Sequence, residues 1–156
     1  MNTKYWYFED FAPGQELVLG SHTVTEEEII AFATQFDPQP FHLDHEAAES
    51  SIFGGLAASG WHTCSMMMRI VVDGILNHSS SLGSPGLEKV RWLLPVHVGD
   101  TLTVTYLTRE VKGSVSRPER GVVWTTWQAA NQRGDIVCTV DGMGMFGRRP
   151  KEGGDA

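Results

Sequence analysis

A chain of 156 residues, 41% hydrophobic and 20% charged, has the composition of one folded domain with a sizeable core. Its formal charge of −7 excludes the concentrated Lys/Arg face that a phosphate backbone requires, so no nucleic-acid partner is expected. No stretch approaches the ~20 uninterrupted apolar residues of a membrane span, and residues 1–11 lack the basic start and apolar run of a signal peptide, so a cytoplasmic protein with no membrane partner is expected.

Residues 15–24 alternate loosely through Leu17, Val18, Leu19, His22 and Val24 and read as a strand leaving a turn at Pro13-Gly14. Thr25-Glu26-Glu27-Glu28 then forms a capping-box pattern with three acids at the positive helix end. Ile29, Phe32, Ala33 and Phe36 follow at helical spacing, which predicts a helix over 25–36. Asp37-Pro38 ends it, because a residue before proline is driven out of the α region. Residues 38–44 are then a loop, with Asp44 capping a short helix through Glu49. From Gly60 to about Leu76 the chain is apolar on nearly every face (Trp61, Cys64, Met66, Met67, Met68, Ile70, Val71, Val72, Ile75), the mark of a buried helix. Residues 77–86, rich in Ser and Gly, read as a loop.

Runs 87–94, 101–111, 122–131 and 136–146 are rich in Val, Thr, Trp and Leu, with turn signals over 95–100, 114–121 and 132–135. They predict consecutive antiparallel strands joined as hairpins. A curved antiparallel sheet wrapped around one long buried helix satisfies this order, which places the chain in the α+β class. One domain is expected over residues 1–150, with 151–156 as a C-terminal tail and the Arg148-Arg149 pair with Lys151 in solvent.

The densest chemical constellation is Asp37-Pro38-Gln39-Pro40-Phe41-His42-Leu43-Asp44. Two prolines stiffen a non-helical segment between a carboxylate and an imidazole, so the two groups can meet at one water and move protons to and from it. The spacing alone equally allows Asp37 merely to end a helix and His42 to pack beside Phe41 and Leu43. Ala57-Ala58-Ser59-Gly60 opens the buried helix, whose first amides lack internal partners and carry the positive dipole end. Gly60, without a Cβ, can let a carbonyl oxygen approach its N–H as charge develops there. The same residues also suit a helix cap at Ser59 and close packing on the sheet. His22, His45, His62, His78 and His97 stand isolated, and no metal site is expected. Cys64 and Cys138, flanked by apolar residues, read as buried free thiols in a reducing compartment.

Taken in order, these segments resemble the MaoC-like hydratases and dehydratases, which include the (R)-specific enoyl-CoA hydratases. The family's Asp, four residues, His signature is matched by Asp37 to His42, with Gln39 where Asn is usual. Ser59-Gly60 stands where the family commonly has His-Gly, and Pro95-Val96-His97-Val98-Gly99-Asp100-Thr101-Leu102 fits its Pro-Val-x-x-Gly-Asp-x-Leu throughout. Phe8-Glu9-Asp10-Phe11-Ala12-Pro13-Gly14-Gln15 is similar to the family's N-terminal approach. The resemblance implies a hot-dog fold, a homodimer with substrate tunnels at the subunit junction, and reversible hydration of a 2-enoyl-CoA to an (R)-3-hydroxyacyl-CoA. It implies Asp37, His42 and Gly60 as catalytic, with Gln39, Phe41 and Ser59 at the substrate. It implies no cofactor beyond the CoA or acyl-carrier thioester of the substrate itself. An acyl-CoA thioesterase on the same fold, and a non-catalytic acyl-thioester-binding module, are the alternatives.

Overall fold

Valine, threonine and tryptophan at period two build the largest element of the computed structural model, which describes residues 4–152. Among these residues β1 (Glu16–Thr23), β2 (Ser81–Gly83), β3 (Leu87–Trp92), β4 (Thr101–Gly113), β5 (Arg120–Ala130) and β6 (Ile136–Gly147) form one antiparallel sheet. The order is β1-β4-β5-β6-β2, with β3 also paired to β6. The sheet curls around α3 (Gly60–Gly74), and its inward residues Val104, Tyr106, Val123, Val140 and Phe146 share one core with Met67 and Val71 of that helix. This is the α+β hot-dog arrangement expected above. Truncating Met67, which is fully buried, should cost about 2–5 kcal/mol, the usual scale for emptying a core site.

The helix α1 (Glu26–Phe36) begins as its sequence dictates, with the Thr25 hydroxyl accepting from the Glu28 amide at 3.2 Å. The helix α2 (His45–Glu49) is capped by Asp44, whose carboxylate accepts from the Ala47 amide at 2.9 Å. The loose alternation of β1 has a local cause, a bulge between Val18 and Gly20 that shifts its register on β4.

Four expectations need correction. The connection between β3 and β4 is not a hairpin, because β3 pairs with β6 and the chain crosses to the far side of the sheet. That crossing is fixed by Asp100, whose carboxylate accepts from the His97 amide (2.9 Å) and the Gln132 side-chain amide (2.9 Å), and by Gly99 in a left-handed turn at φ 87°. Residues 77–86 are not only loop, since β2 lies within them and pairs backbone to backbone with the end of β6. Such a short edge strand carries no apolar alternation because neither of its faces is buried. The helix α3 is not covered on every side. Trp61 is 61% exposed and Met68 42%, because the sheet covers only one flank of the helix. Nor is the basic pair free, for Arg149 grips Asp10 with two bonds of 2.6 and 2.7 Å and Arg148 Nε donates to the Pro118 carbonyl at 2.9 Å. The tail expected over 151–156 lies mostly outside the described residues, as does the start of the 1–11 segment.

Candidate active site

Asp37 sits at the C-terminus of α1, where Pro38 stops the helix, and its backbone leaves the helical region at φ −149°, ψ 66°. Pro40 opens a single 3-10 turn, Pro40–His42, which swings the His42 ring inward. The loop therefore returns the imidazole to the carboxylate, with His42 Nε2 3.4 Å from Asp37 Oδ2.

Each group is held by further bonds. His42 Nδ1 lies 2.7 Å from the Ala57 carbonyl. A carbonyl only accepts, so Nδ1 carries a hydrogen, and Nε2 is the nitrogen turned toward Asp37. Ala57 is itself fixed by a bridge to His97, and the Ala58 amide donates to the Val96 carbonyl at 2.8 Å. The Pro-Val-x-x-Gly-Asp segment thus serves the site as a strut. On the other side, Asp37 Oδ2 accepts from the Ser59 hydroxyl at 2.7 Å and Oδ1 from the Gln39 side-chain amide at 2.6 Å. The Ser59 bond is the main reason the Asp37 carboxyl is held below the ordinary range, with partial burial opposing it and Gln39 and His42 adding to the lowering. The result is an ionised carboxylate and an imidazole nitrogen converging on one spot, within reach of a single water.

Ser59 does not cap α3, because its hydroxyl is committed to Asp37. The first amides of the helix consequently receive no bond from the cap residue and remain at the positive dipole end beside the pair. Gly60 calls for a correction of cause. A Cβ there would stand 2.5 Å from Cε2 of Trp92, whose indole N–H donates to the Gly60 carbonyl at 2.8 Å. The missing side chain makes room for a β3 tryptophan, and the amide at the helix start is a separate feature. Phe41, expected at the substrate, packs edge-on against His42 (4.6 Å between centroids) and tilted against Phe53 (5.0 Å), so it buttresses the imidazole.

Two features escaped the sequence. His22 and His62 are not isolated. Both face Glu28 Oε1, at 2.7 and 3.5 Å, where β1 and the first turn of α3 converge on the start of α1. His62 is buried and stacked on Phe32, and burial holds its pKa below the ordinary value, so the ring is neutral at pH 7. Three separate elements meet there, which periodicity along the chain cannot reveal. The second feature is a cavity of about 390 Å³ between one flank of α3 and the inner faces of β5 and β6. Trp61, Cys64 and Met68 line its helix side and Trp127, Gly142 and Gly144 its sheet side. Asp37, Gln39, His42 and Ser59 do not line it, and Trp61, next to Gly60, connects the two regions along the chain.

The chain and its sheet-wrapped helix have counterparts among known proteins. The family model of the MaoC-like domain matches residues 10–129, and the chain belongs to that family. Protein MaoC of Klebsiella aerogenes is 32% identical over 121 residues, 76% of this chain and 36% of that protein, so the chain spans about a third of that relative. The crystal structure of the MaoC-like dehydratase from Rhodospirillum rubrum shares 41% identity at a TM-score of 0.86, covering 94% of this chain and 99% of that one. The R-hydratase from Pseudomonas aeruginosa superposes at a TM-score of 0.71 with 21% identity, covering 92% of this chain and 86% of that one, and shares the fold.

Proposed function

We propose that the chain is an acyl-thioester hydratase and dehydratase that adds water reversibly to a 2-enoyl-CoA to give an (R)-3-hydroxyacyl-CoA. The observation that carries this reading is the facing of Asp37 Oδ2 and His42 Nε2 at 3.4 Å, each fixed by its own outer bonds, beside the uncapped start of α3.

The chemistry follows from the protonation states. A water donates one hydrogen to the Asp37 carboxylate and one to His42 Nε2, leaving its oxygen lone pair aimed outward. As that oxygen bonds to C3 of the enoyl thioester, a proton passes to the pair and the C2–C3 electrons move toward the thioester oxygen. An amide at the start of α3, Gly60 first, donates to that oxygen while it is enolate-like, and C2 then takes a proton to complete the addition. Ser59 and Gln39 keep Asp37 charged and oriented throughout. The cavity beside Trp61 suits an acyl chain, being apolar and formed by the folded chain itself. The R configuration and CoA as carrier rest on the family resemblance, and the two free thiols suit a reducing compartment such as the cytoplasm.

The working unit in this reading is a homodimer. Trp61 and Met68 on α3, Trp92 at the end of the outer strand β3 and Leu94 just beyond it are exposed and apolar, an area a second copy would cover. The test of function is a panel of crotonyl, longer-chain and branched enoyl-CoA thioesters with the matching free acids, followed by loss of absorbance of the conjugated double bond. Hydration of thioesters but not of acids is expected, since a free carboxylate would need to carry a second negative charge in the enolate. Comparable rates on acid and thioester would remove the role given to Gly60, and release of free CoA thiol without hydration would make the protein a thioesterase.

A further inference from the structure

The two cysteines take no part in the proton chemistry, yet the fold brings them together. Gly60 and Cys64 lie one helical turn apart on the same side of α3. The Trp92 ring rests against Gly60, and across the β3–β6 ladder the partner of Trp92 is Cys138. As direct ladder partners Trp92 and Cys138 share one face of the sheet, the face that meets α3 at Gly60, and the Cys138 thiol and the Trp92 indole are both close enough to Cys64 to influence it. Cys64 is half-buried and lines the 390 Å³ cavity, whereas Cys138 is fully buried behind it. One sulfur therefore faces a space that a small solute can enter, and its only thiol neighbour waits in the core.

We propose that Cys64 and Cys138 form a redox-active dithiol, in which a peroxide entering the cavity oxidises Cys64 and Cys138 closes an intramolecular disulfide joining α3 to β6. This goes beyond the hydration reading and does not rest on it. The electrostatics suit the two roles. The neighbouring Cys138 thiol first, and the Trp92 indole after it, draw the Cys64 thiol down to about 7 against the effect of burial. Lowering the thiol in this way favours the thiolate, the form that attacks peroxide. The neighbouring Cys64 sulfur, and burial after it, push Cys138 well up, so it stays protonated until it acts as the resolving thiol.

The steps balance. The Cys64 thiolate takes one oxygen of hydrogen peroxide, becoming a sulfenic acid and releasing hydroxide, which is protonated to water. The Cys138 sulfur then bonds to the Cys64 sulfur and displaces the hydroxyl group, which leaves with the Cys138 proton as a second water. Two thiols are oxidised to one disulfide and one peroxide is reduced to two waters.

The experiment exposes the purified full chain to a small molar excess of hydrogen peroxide, alkylates it in denaturant with iodoacetamide and measures intact mass. The expected product is a monomeric chain lighter by two hydrogens that takes up no alkyl group and regains two alkylation sites after dithiothreitol. Two sites still alkylated after peroxide, a disulfide between chains, or a Cys64 sulfinic acid beside a free Cys138 would each overturn the proposal. In Cys138→Ser, dimedone should trap a Cys64 sulfenic acid that hardly accumulates in the wild type. Equal trapping in both proteins would refute the resolving role, and the wild-type masses decide the matter even if the variant fails to fold.

Discussion

Replacing Ser59 by alanine deletes one hydrogen bond, the 2.7 Å donation to Asp37 Oδ2, and leaves every other anchor of the pair in place. A hydrogen bond to a charged group contributes about 1.5–3 kcal/mol. The Asp37 side chain is 19% exposed, so water partly replaces the hydroxyl and the loss should fall near the low end, about 1.5 kcal/mol at neutral pH. The pH dependence separates this account from a lost helix cap. The Ser59 bond is the largest cause lowering the Asp37 pKa, so in Ser59→Ala that pKa rises toward its ordinary value. A carboxyl depressed in the folded state contributes stability above its unfolded pKa of about 3.9 and loses it as pH falls through the folded value. The difference between wild type and Ser59→Ala is therefore full at pH 7 and shrinks in acid, where both carboxyls become protonated. A missing cap would cost the same at either pH, since a hydroxyl and an amide do not titrate there. Urea unfolding from pH 7 downward, with a carbon-13 titration of the Asp37 carboxyl, measures both quantities. A cost independent of pH, or an Asp37 titration that does not move, would show that Ser59 does not act through the Asp37 carboxylate.

Asp37→Asn and His42→Ala should each lower turnover by at least about a hundredfold, the scale of positioned acid–base groups, with the circular dichroism spectrum retained. Near-wild-type turnover in either folded variant would contradict the pair. Gly60→Ala places a methyl inside the Trp92 ring and should cost about 1–3 kcal/mol of stability, measured by denaturant unfolding. Combined with Trp92→Ala that cost should largely vanish, and strict additivity in the cycle would deny the contact. Light scattering at micromolar concentration should give a dimer or a multiple of it, and Met68→Glu, which charges the exposed apolar flank of α3, should weaken it.

The elements that read clearly from the sequence owe their form to local rules. Thr25 caps α1 because its hydroxyl meets an amide three residues on, Pro38 ends that helix by sterics, and β4 alternates because one of its faces is buried. The candidate pair was legible for the same reason, since Asp37, two prolines and His42 share one short loop. What stayed hidden depends on residues far apart in the chain. The tautomer of His42 is set by a carbonyl fifteen positions away, and a backbone oxygen has no sequence signature. The ring above Gly60 arrives from β3, thirty-two positions on. The pairing of β3 with β6 runs over the head of a more local hairpin, and Glu28 gathers two histidines from β1 and α3 that look solitary along the chain. The all-round apolar pattern of α3 predicts burial on every face, whereas the sheet covers only part of the helix and leaves Trp61 and Met68 exposed.

The most direct test follows where the oxygen of water goes. Crotonyl-CoA is incubated with the purified protein in deuterated, oxygen-18-labelled water, and the products are resolved by mass spectrometry and chiral chromatography. The expected product is (R)-3-hydroxybutyryl-CoA with oxygen-18 on C3 and deuterium on C2, formed by the wild type and not above background by Asp37→Asn. Oxygen-18 found instead in the carboxylate of free crotonate, with CoA thiol released, would contradict the hydration reading.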